Sequence, residues 1–344
     1  VSPDLAEYAA TLASAGAGRG LDFAEPLGNP GAVFIEGIRL PFFGTCTTIP
    51  CIRDTLHQTP PGASSGRLSD GRFVVPPIGG QQAPEGYLVG PRASHSGSLN
   101  IDDVRRIIDQ SVAVAFRTRA QIRLPINQPT RMVMAVSDEA GEILAAYRMP
   151  DATFFSLDVA MTKARNAYYF SSREGYEVLR QYVSTNRYAP YEWEPEPPAG
   201  QGWALTARTL SFGGQPLFPP GIDLEVAPTP GPWFDLFAYD SVNPCTEGPG
   251  PSRGGNRTFL NQSGIVWFPG SVPLYKDGRL VGGLGVSGDG VEQDDYVSQL
   301  GSEGFHPPDE LRVDNSVIRA GEGREVRLPY VKYPRQPEVG GGTW

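Results

Sequence analysis

The stretch with the most chemically suggestive residues runs from Val272 to Asp295 and reads VPLYKDGRLVGGLGVSGDGVEQDD. It joins a glycine-rich strand pattern to a Ser-Gly-Asp-Gly turn and then to an acidic helix start. Gly282, Gly283 and Gly285 would let another backbone or a flat ligand come close to the strand. The turn would lead into a helix N-terminus, whose free N–H groups favour anions. We therefore expect a contact or binding surface at this end of the strand.

The polar residues of this stretch do not match a known catalytic pattern. Ser287 lies in a turn, without a G-x-S-x-G elbow and without a histidine close in sequence. The spaced glycines lack the strand-to-helix context of dinucleotide binding, and the acids lack the alternating ligands of an EF-hand loop. Glu292, Asp294 and Asp295 fall in the first turn of the expected helix, so matching the helix dipole is favoured over catalysis.

The chain has only three histidines, which limits metal and haem ligation. His57 and His95 lie in coil-like sequence, where a solvated side chain is the ordinary state. His306 follows the last expected helix and could reach the glycine-rich region as a ligand. Met149 and Met161 are more typical of a core than of a ligand set.

The charge and composition bound the class of protein. The formal charge is −9 and no Lys/Arg run is present, which excludes a nucleic-acid backbone as the expected partner. No apolar run reaches the length of about 20 residues that a membrane helix needs. The hydrophobic fraction of 40%, with 42 glycines and 34 prolines, indicates a folded protein with long ordered loops.

Three cysteines bear on the cellular compartment. Cys46 and Cys51 in CTTIPC have a spacing that suits a small disulfide loop, because a second pair of zinc ligands is missing. Free thiols are the alternative. Cys245 is then either buried and inert or linked to another chain. The first residue is Val1 rather than Met, so we expect an exported protein, periplasmic or extracellular, although a trimmed chain would look the same.

Apolar periodicity predicts the elements that must position these residues. A helix begins after the N-cap Asn100, with Val104, Ile108, Val112 and Ala115 on one face. Two apolar runs, 132–136 and 143–147, predict a hairpin, and a second helix covers SLDVAMTKARNAYYFSS. A second hairpin turns at Asp277-Gly278 and a short helix follows it.

Long segments show no such periodicity. Residues 1–98 read as an extended N-terminal arm with a short helix near Leu5 to Ala15, and residues 173–264 read as an irregular insertion. Residues 328–344 read as an extended C-terminal tail. The domain between arm and tail then spans residues 99–327.

Two motifs resemble one family. SDEAGEILAAYRMPDATFFSLDVAMTKARNAYYFS and FPGSVPLYKDGRLVGGLGVSGDGVEQDD are similar to the two signatures of the GlcG/HbpS-like haem-binding and haem-degrading proteins, also found as the C-terminal domain of PduO-type proteins. The resemblance covers roughly a third of the chain. It implies an α+β, profilin-like antiparallel sheet flanked by helices, and assembly into a symmetric oligomer.

The resemblance also implies candidate site residues. Arg148 and Lys163 match the basic positions of the family and would hold haem propionates or another carboxylate; equally, they would pair with Asp151 or Asp138 inside the fold. No CxxCH motif is present, which excludes covalent haem attachment. The residues predicted to contact haem or a similar flat anionic ligand are Arg148, Met149, Lys163, Gly283, Gly285, Ser287 and His306.

These observations lead to two functions of different class. The first is an exported haem-binding protein that acts in an oligomer and is not an enzyme. The alternative is a structural or assembly subunit that has lost ligand binding and belongs to a larger extracellular or periplasmic, possibly redox, complex. The scarcity of histidine favours this alternative. An isomerase or lyase acting on a small hydroxy acid rests on the breadth of the family alone.

Overall fold

The elements were located in a computed structural model, which describes residues 34–35, 38–39, 67–69, 72–74, 86–149, 151–153, 155–219, 229–242, 264–320 and 324–340. The chain divides into two units, Val1–Gly90 with Tyr147–Pro150, and Pro91–Ala146 with Asp151–Trp344. The predicted disulfide of Cys46 and Cys51, the residues His57 and Cys245, and the helix near Leu5 to Ala15 lie outside the described residues.

In the first unit the described residues form short antiparallel strands. β1 (Phe34–Ile35) pairs with β2 (Ile38–Arg39), and β3 (Arg67–Ser69) pairs with β4 (Arg72–Val74). β5 (Tyr87–Val89) neighbours the end of a strand that enters this unit at Tyr147. The amide of Arg148 donates to the carbonyl of Gly86 at 2.9 Å, and the rings of Tyr87 and Tyr147 meet edge to face at 5.0 Å.

The second unit begins with the predicted first helix, α1 (Ile101–Arg117). The side chain of Asn100 accepts from the amide of Asp103, and the Asp103 carboxylate accepts from the amide of Asn100, so the helix starts with a capping box. Val104, Ile107 and Ile108 are buried on its inner face. The predicted N-cap and helix are therefore confirmed.

The sheet of this unit is antiparallel and has helices packed on it. β6 (Val133–Asp138) and β7 (Ile143–Arg148, which passes into the first unit) form the first hairpin; β9 (Ser271–Lys276) and β10 (Arg279–Ser287) form the second. The strands follow the order β7-β6-β10-β9. Asp277 and Gly278 have φ of 51° and 74°, the left-handed turn that the Asp-Gly pair predicts.

The helices α2 (Ser156–Ser171) and α6 (Val291–Gly301) flank this sheet. α2 lies along β10, while α6 packs against α1 and against β10. The predicted α+β class, an antiparallel sheet flanked by helices, is thus confirmed. Among the described residues no helix combines the length and the apolar character that crossing a bilayer requires.

The segment expected to be irregular is regular over much of its described part. It contains α3 (Arg173–Ser184), β8 (Glu192–Glu194), α4 (Ala207–Gly213) and α5 (Phe234–Val242). Ser172 caps α3 by accepting from the amide of Gly175. The absence of regular structure predicted for residues 173–264 is therefore wrong, because α3 buries Tyr176, Leu179 and Val183 at helical spacing.

This segment builds a second core together with the C-terminal part of the chain. Two short 3₁₀ turns, η1 (Asp309–Leu311) and η2 (Val313–Asn315), lead into β11 (Val317–Ala320) and β12 (Arg324–Arg327), and the sheet order is β12-β11-β8. We call the buried rings between these elements the aromatic cluster: Tyr169, Phe170, Tyr176, Tyr191, Trp193, Trp203, Phe218, Trp233, Tyr275 and Tyr330.

The C-terminal segment is extended, as predicted, but it is held against the body. Tyr330 is buried in the aromatic cluster, and its carbonyl accepts from the hydroxyl of Thr206. Further along, the amide of Arg119 donates to the carbonyl of Pro337 at 2.6 Å and that of Val339 to Arg117 at 2.7 Å. Leu328 and Tyr330 of the tail are thus part of the core, and backbone hydrogen bonds hold the end of its described part.

Candidate functional site

The candidate site lies where the end of β10, the middle of α2 and the start of α6 meet. β10 ends at Ser287, and Gly290, with φ of 144°, leads the chain into α6. On the other side, the amide of Val286 donates to the carbonyl of Gly270 at 2.8 Å. These backbone contacts bring the Ser-Gly-Asp-Gly turn and the acidic helix start against α2.

Lys163 is the cation at the centre of this junction. Its side chain is 1% exposed, and Nζ donates to the carbonyl of Val286 at 2.8 Å and to Oδ2 of Asp294 at 3.1 Å. Gly270 covers the pair in a left-handed conformation with φ of +116°. A Cβ there would lie 2.8 Å from Nζ of Lys163 and 2.4 Å from Cβ of Asp294, so only glycine fits.

Asp294 and Asp295 are buried ion-pair partners rather than exposed residues that match the helix dipole. Burial raises the pKa of Asp294 to about 7, and the Lys163 ammonium opposes that rise. Its second oxygen, Oδ1, has no hydrogen-bond partner among the described residues. Asp295 accepts from the amides of Gly270 at 2.8 Å and Lys332 at 3.0 Å and from the Arg208 guanidinium. Burial raises the pKa of Asp295 as well.

Ser287 takes part in a row of hydroxyl groups. Its Oγ donates to Oγ of Ser156 at 3.1 Å, and Ser156 shares a 2.5 Å hydrogen bond with Thr153. Ser287 is 3% exposed. Because the hydrogen bond of Ser287 goes to a hydroxyl group and not to a base, the geometry supports no nucleophilic role.

A second charged group sits at the same end of the sheet and was not predicted. Asp289 is 1% exposed; its Oδ2 accepts from the amide of Arg131 at 2.6 Å and from Nε of Arg123. Arg123 reaches on to the exposed Asp151 carboxylate at 2.5 Å. Burial lowers and the two carboxylates raise the pKa of Arg123, and the net shift is upward. Arg123 therefore stays charged at the surface.

Exposed apolar side chains lie close in sequence to the members of this charged group. Leu124 is 85% exposed and Ile122 is 65% exposed, on either side of Arg123; Phe155 follows Asp151 by four residues and is 64% exposed. Val291 follows Asp289 and is 43% exposed. We call Ile122, Leu124, Phe155 and Val291 the apolar rim. The signal in the sequence was the stretch QIRLPINQ, which places three aliphatic residues in a loop.

The glycines of β10 are explained by the helix beside them. A Cβ on Gly283 would lie 2.0 Å from the carbonyl oxygen of Ala164, and one on Gly285 would lie 2.0 Å from that of Ala160. The backbone that approaches the strand, as the glycines predicted, is thus α2 of the same chain. A contact of these two glycines with a ligand stays a prediction.

The remaining predicted residues are distributed over the chain. Arg148 and Met149 are buried in the first unit. His306 is exposed beyond the end of α6, and its Nε2 lies 2.8 Å from the carbonyl oxygen of Gln299. His95 is exposed as well. Within the second unit, therefore, the structure brings together Lys163 and the end of β10, where Ser287 lies.

The pairing expected for Lys163 is corrected by the structure. Its partner is Asp294, whereas Asp138 accepts from the amides of Ala140 and Glu142 in the first hairpin and Asp151 pairs with Arg123. The described part of the chain holds no group of three or more His, Cys, Asp or Glu side chains that could bind a metal ion.

Comparison with protein families gives a match over this region. Residues 235–303 match the model described as "Haem degrading protein HbpS-like". These residues include the second hairpin, the Ser-Gly-Asp-Gly turn and all of α6. The match confirms the resemblance to the GlcG/HbpS-like proteins that the motifs predicted. A comparison with curated protein sequences gave no significant match.

Three solved structures are among those similar to this chain. The PduOC:heme complex is 21% identical, covers 60% of this chain and 95% of its own, and has a TM-score of 0.31. The Klebsiella pneumoniae protein ORFY, described with the family model DUF336, is 16% identical. That match covers 59% of this chain and 88% of ORFY, with a TM-score of 0.32. A double mutant of Streptomyces reticuli HbpS is 16% identical. That match covers 62% of this chain and 95% of the HbpS chain, with a TM-score of 0.30.

Proposed function

We propose that this protein binds haem, or a similar flat anionic ligand, without covalent attachment. The observation that carries the proposal is the match of residues 235–303 to a family of haem-degrading proteins, together with the motifs of both halves of the chain. A bound haem needs apolar contact for its ring and cations for its propionates.

The apolar rim is the place that fits such a ligand best among the described residues. It offers exposed aliphatic and aromatic surface, and Arg123, which pairs with Asp289 and Asp151, lies between Ile122 and Leu124 in the sequence. Lys163 fits less well, because its side chain is only 1% exposed and Gly270 closes the site around it. Axial ligation, where present, falls to an exposed histidine such as His306.

Haemin titration of the full chain, followed by the Soret band, tests this function. Leu124→Asp places a charge on the rim, and Leu217→Asp, at a residue that is also exposed, is the matched control. We expect the wild type and the control to bind alike and Leu124→Asp to bind about ten-fold more weakly. A wild type that leaves the haemin spectrum unchanged would sink the proposal.

The histidine arm of the same titration locates the iron. His306→Ala should shift the Soret band without removing binding if His306 ligates the metal, because ring contacts remain. An unshifted band would mean that another residue is the axial ligand. The rim proposal would then still be tested by the Leu124→Asp titration.

Export and assembly into an oligomer belong to the same proposal. The CTTIPC loop supports an oxidising compartment, and the exposed rim supports a covered surface in an assembly. Light scattering of the native protein tests the assembly, and a mass equal to one chain of 37.1 kDa would contradict it. Thiol titration of Cys46 and Cys51 before and after reduction tests the disulfide.

The second candidate function is a scaffold subunit without a ligand. One observation favours it: Lys163, the family's basic position, is buried in an ion pair. Under this proposal Leu124→Asp lowers the mass of the assembly and haemin has no effect on any variant. The two functions are therefore separated by the wild-type titration alone.

A further inference from the structure

An open cleft of about 640 Å³ lies on the second unit, and its lining includes neither the Lys163 ion pair nor the apolar rim. This volume is in the range of small-molecule sites. Eight residues line it, of which five are charged, one is an amide and two are apolar or aromatic: Pro195, Trp203, Asp309, Glu310, Arg312, Asp314, Asn315 and Arg327. None of them was singled out by the sequence motifs.

Backbone pairing builds the cleft. The amide of Ala204 donates to the carbonyl of Leu311 at 2.8 Å, and the amide of Val313 donates to the carbonyl of Ala204 at 3.2 Å. This parallel bridge fixes the segment that carries Trp203 beside the segment that carries Arg312 and Asp314. The cleft is therefore set on paired backbone that also borders the aromatic cluster.

Two arginines are held in place on one part of the lining. Arg312 makes two hydrogen bonds to the Asp314 carboxylate, at 3.1 and 2.9 Å, and its guanidinium lies 4.8 Å from the ring centre of Tyr330. Nε of Arg327 donates to the carbonyl of Asp314 at 2.5 Å. A guanidinium has five N–H groups, so each arginine keeps donors for a ligand carboxylate.

The other acids of the lining have no partner of opposite charge. Asp309 and Glu310 are exposed, and among the described residues neither carboxylate makes an ion pair or a hydrogen bond. With two arginines against three acids, the lining has a net charge of −1. A ligand that complements it carries one net positive charge.

Trp203 adds a second, independent observation. The residue is 3% exposed, and its indole Nε1–H has no acceptor in the described part of the chain. A buried polar group without a partner costs free energy and calls for a functional explanation. Together with Pro195 it gives the cleft an apolar wall against which the carbon chain of a ligand packs.

We propose that this cleft binds a free cationic amino acid of the arginine or lysine type. The carboxylate of the ligand meets the free N–H groups of Arg312 and Arg327, and its ammonium and side-chain cation meet Asp309 and Glu310. The ligand's aliphatic chain lies against Trp203 and Pro195. This site is independent of haem binding.

Calorimetric titration of the full chain tests the proposal with three probes. L-arginine should bind at one site, agmatine, which lacks the carboxylate, about ten-fold more weakly, and L-glutamate not measurably. The double variant Asp309→Asn/Glu310→Gln should weaken arginine binding about ten-fold. Asp109→Asn, at an exposed acid of α1, is the control and should leave it unchanged.

Three results would each overturn the assignment. One is the absence of arginine binding up to concentrations on the order of 10 mM. Another is tighter binding of glutamate than of arginine, which would mean that the arginines dominate the cleft. The last is equal arginine binding by the wild type and the double variant. The substituted side chains are exposed, so these variants are expected to fold, which circular dichroism checks.

Discussion

Lys163 of α2 and Asp294 of α6 join the two helices through an ion pair of 3.1 Å across the end of β10. Both side chains are almost fully buried, and the carbonyl of Val286 on β10 accepts a second hydrogen bond from the lysine. The pair thus links three elements that are far apart in sequence. In a buried pair the loss of one member leaves the other charge without compensation.

Lys163→Met should therefore destabilise the protein by about 3 to 5 kcal/mol at pH 8. The matched control is Lys332→Met, because Lys332 pairs with Glu292 at the surface, where an ion pair contributes about 0 to 1 kcal/mol. Urea denaturation measures both. An equal loss in the two variants would show that burial of the Lys163 pair has no energetic consequence.

The pH dependence of stability follows from Asp294. Burial raises its folded-state pKa to about 7, above the value of about 3.9 in an unfolded chain. The folded state then binds a proton that the unfolded state has lost, so the free energy of unfolding falls as pH rises from about 4 to about 7, by at most about 1.4 kcal/mol per pH unit.

Asp294→Asn isolates this contribution. Asp295, Asp138 and Asp240 also have pKa values raised by burial and act in the same direction, so the wild type alone does not separate them. The variant should show a shallower fall between pH 4 and 7 in urea titrations at several pH values. Identical slopes for variant and wild type would contradict a raised pKa for Asp294.

Gly285→Ala tests the contact between β10 and α2. The added Cβ would lie 2.0 Å from the carbonyl oxygen of Ala160, and overpacking of this kind costs about 1 to 3 kcal/mol or more. Gly90→Ala is the control, because nothing lies within 4 Å of a Cβ there. Thermal unfolding should show a lowered midpoint for Gly285→Ala only. Unchanged midpoints for both variants would mean that α2 moves away from β10 at no cost in stability.

Tyr330 tests the role of the C-terminal segment. Tyr330→Ala removes a buried ring from the aromatic cluster and should cost about 3 to 5 kcal/mol. Tyr330→Phe keeps the ring and removes a hydroxyl that has no hydrogen-bond partner among the described residues, so it should be neutral or stabilising. If both variants unfold alike in urea, the ring does not hold the segment in place.

The same burial changes how assembly should be tested. A chain that ends before Leu328 loses the buried side chains of Leu328 and Tyr330 and should be strongly destabilised. Its failure to assemble would therefore not identify an interaction arm. Charge substitutions on the apolar rim test assembly with the core intact.

Several helices and strands around the site could be predicted from the sequence because local residue patterns specify them. Asn100 and the apolar spacing after it gave α1, and Asp277-Gly278 gave the second hairpin. α3 was missed although Tyr176, Leu179 and Val183 have helical spacing and Ser172 precedes them as a cap. Proline-rich sequence after α3 obscured a pattern that was present.

The ion pairs could not be predicted from local sequence patterns. Lys163 and Asp294 are separated by 131 positions, and Arg123 and Asp289 by 166. No local pattern specifies which of the 38 acids meets a given base; the packing of helices on the sheet does. The family resemblance therefore identified Lys163 as a candidate, and only the fold identified its partner.

The aromatic cluster has a consequence for the order in which the chain acquires its structure. It joins rings from residues 169–233 and Tyr275 to Tyr330, so the second core is incomplete until the final segment has been synthesised. A ribosome delivers the amino end first. The first motif and its helices therefore emerge well before the residues that complete the core beside them, and the incomplete aromatic surface stays open to chaperones until synthesis has passed Tyr330.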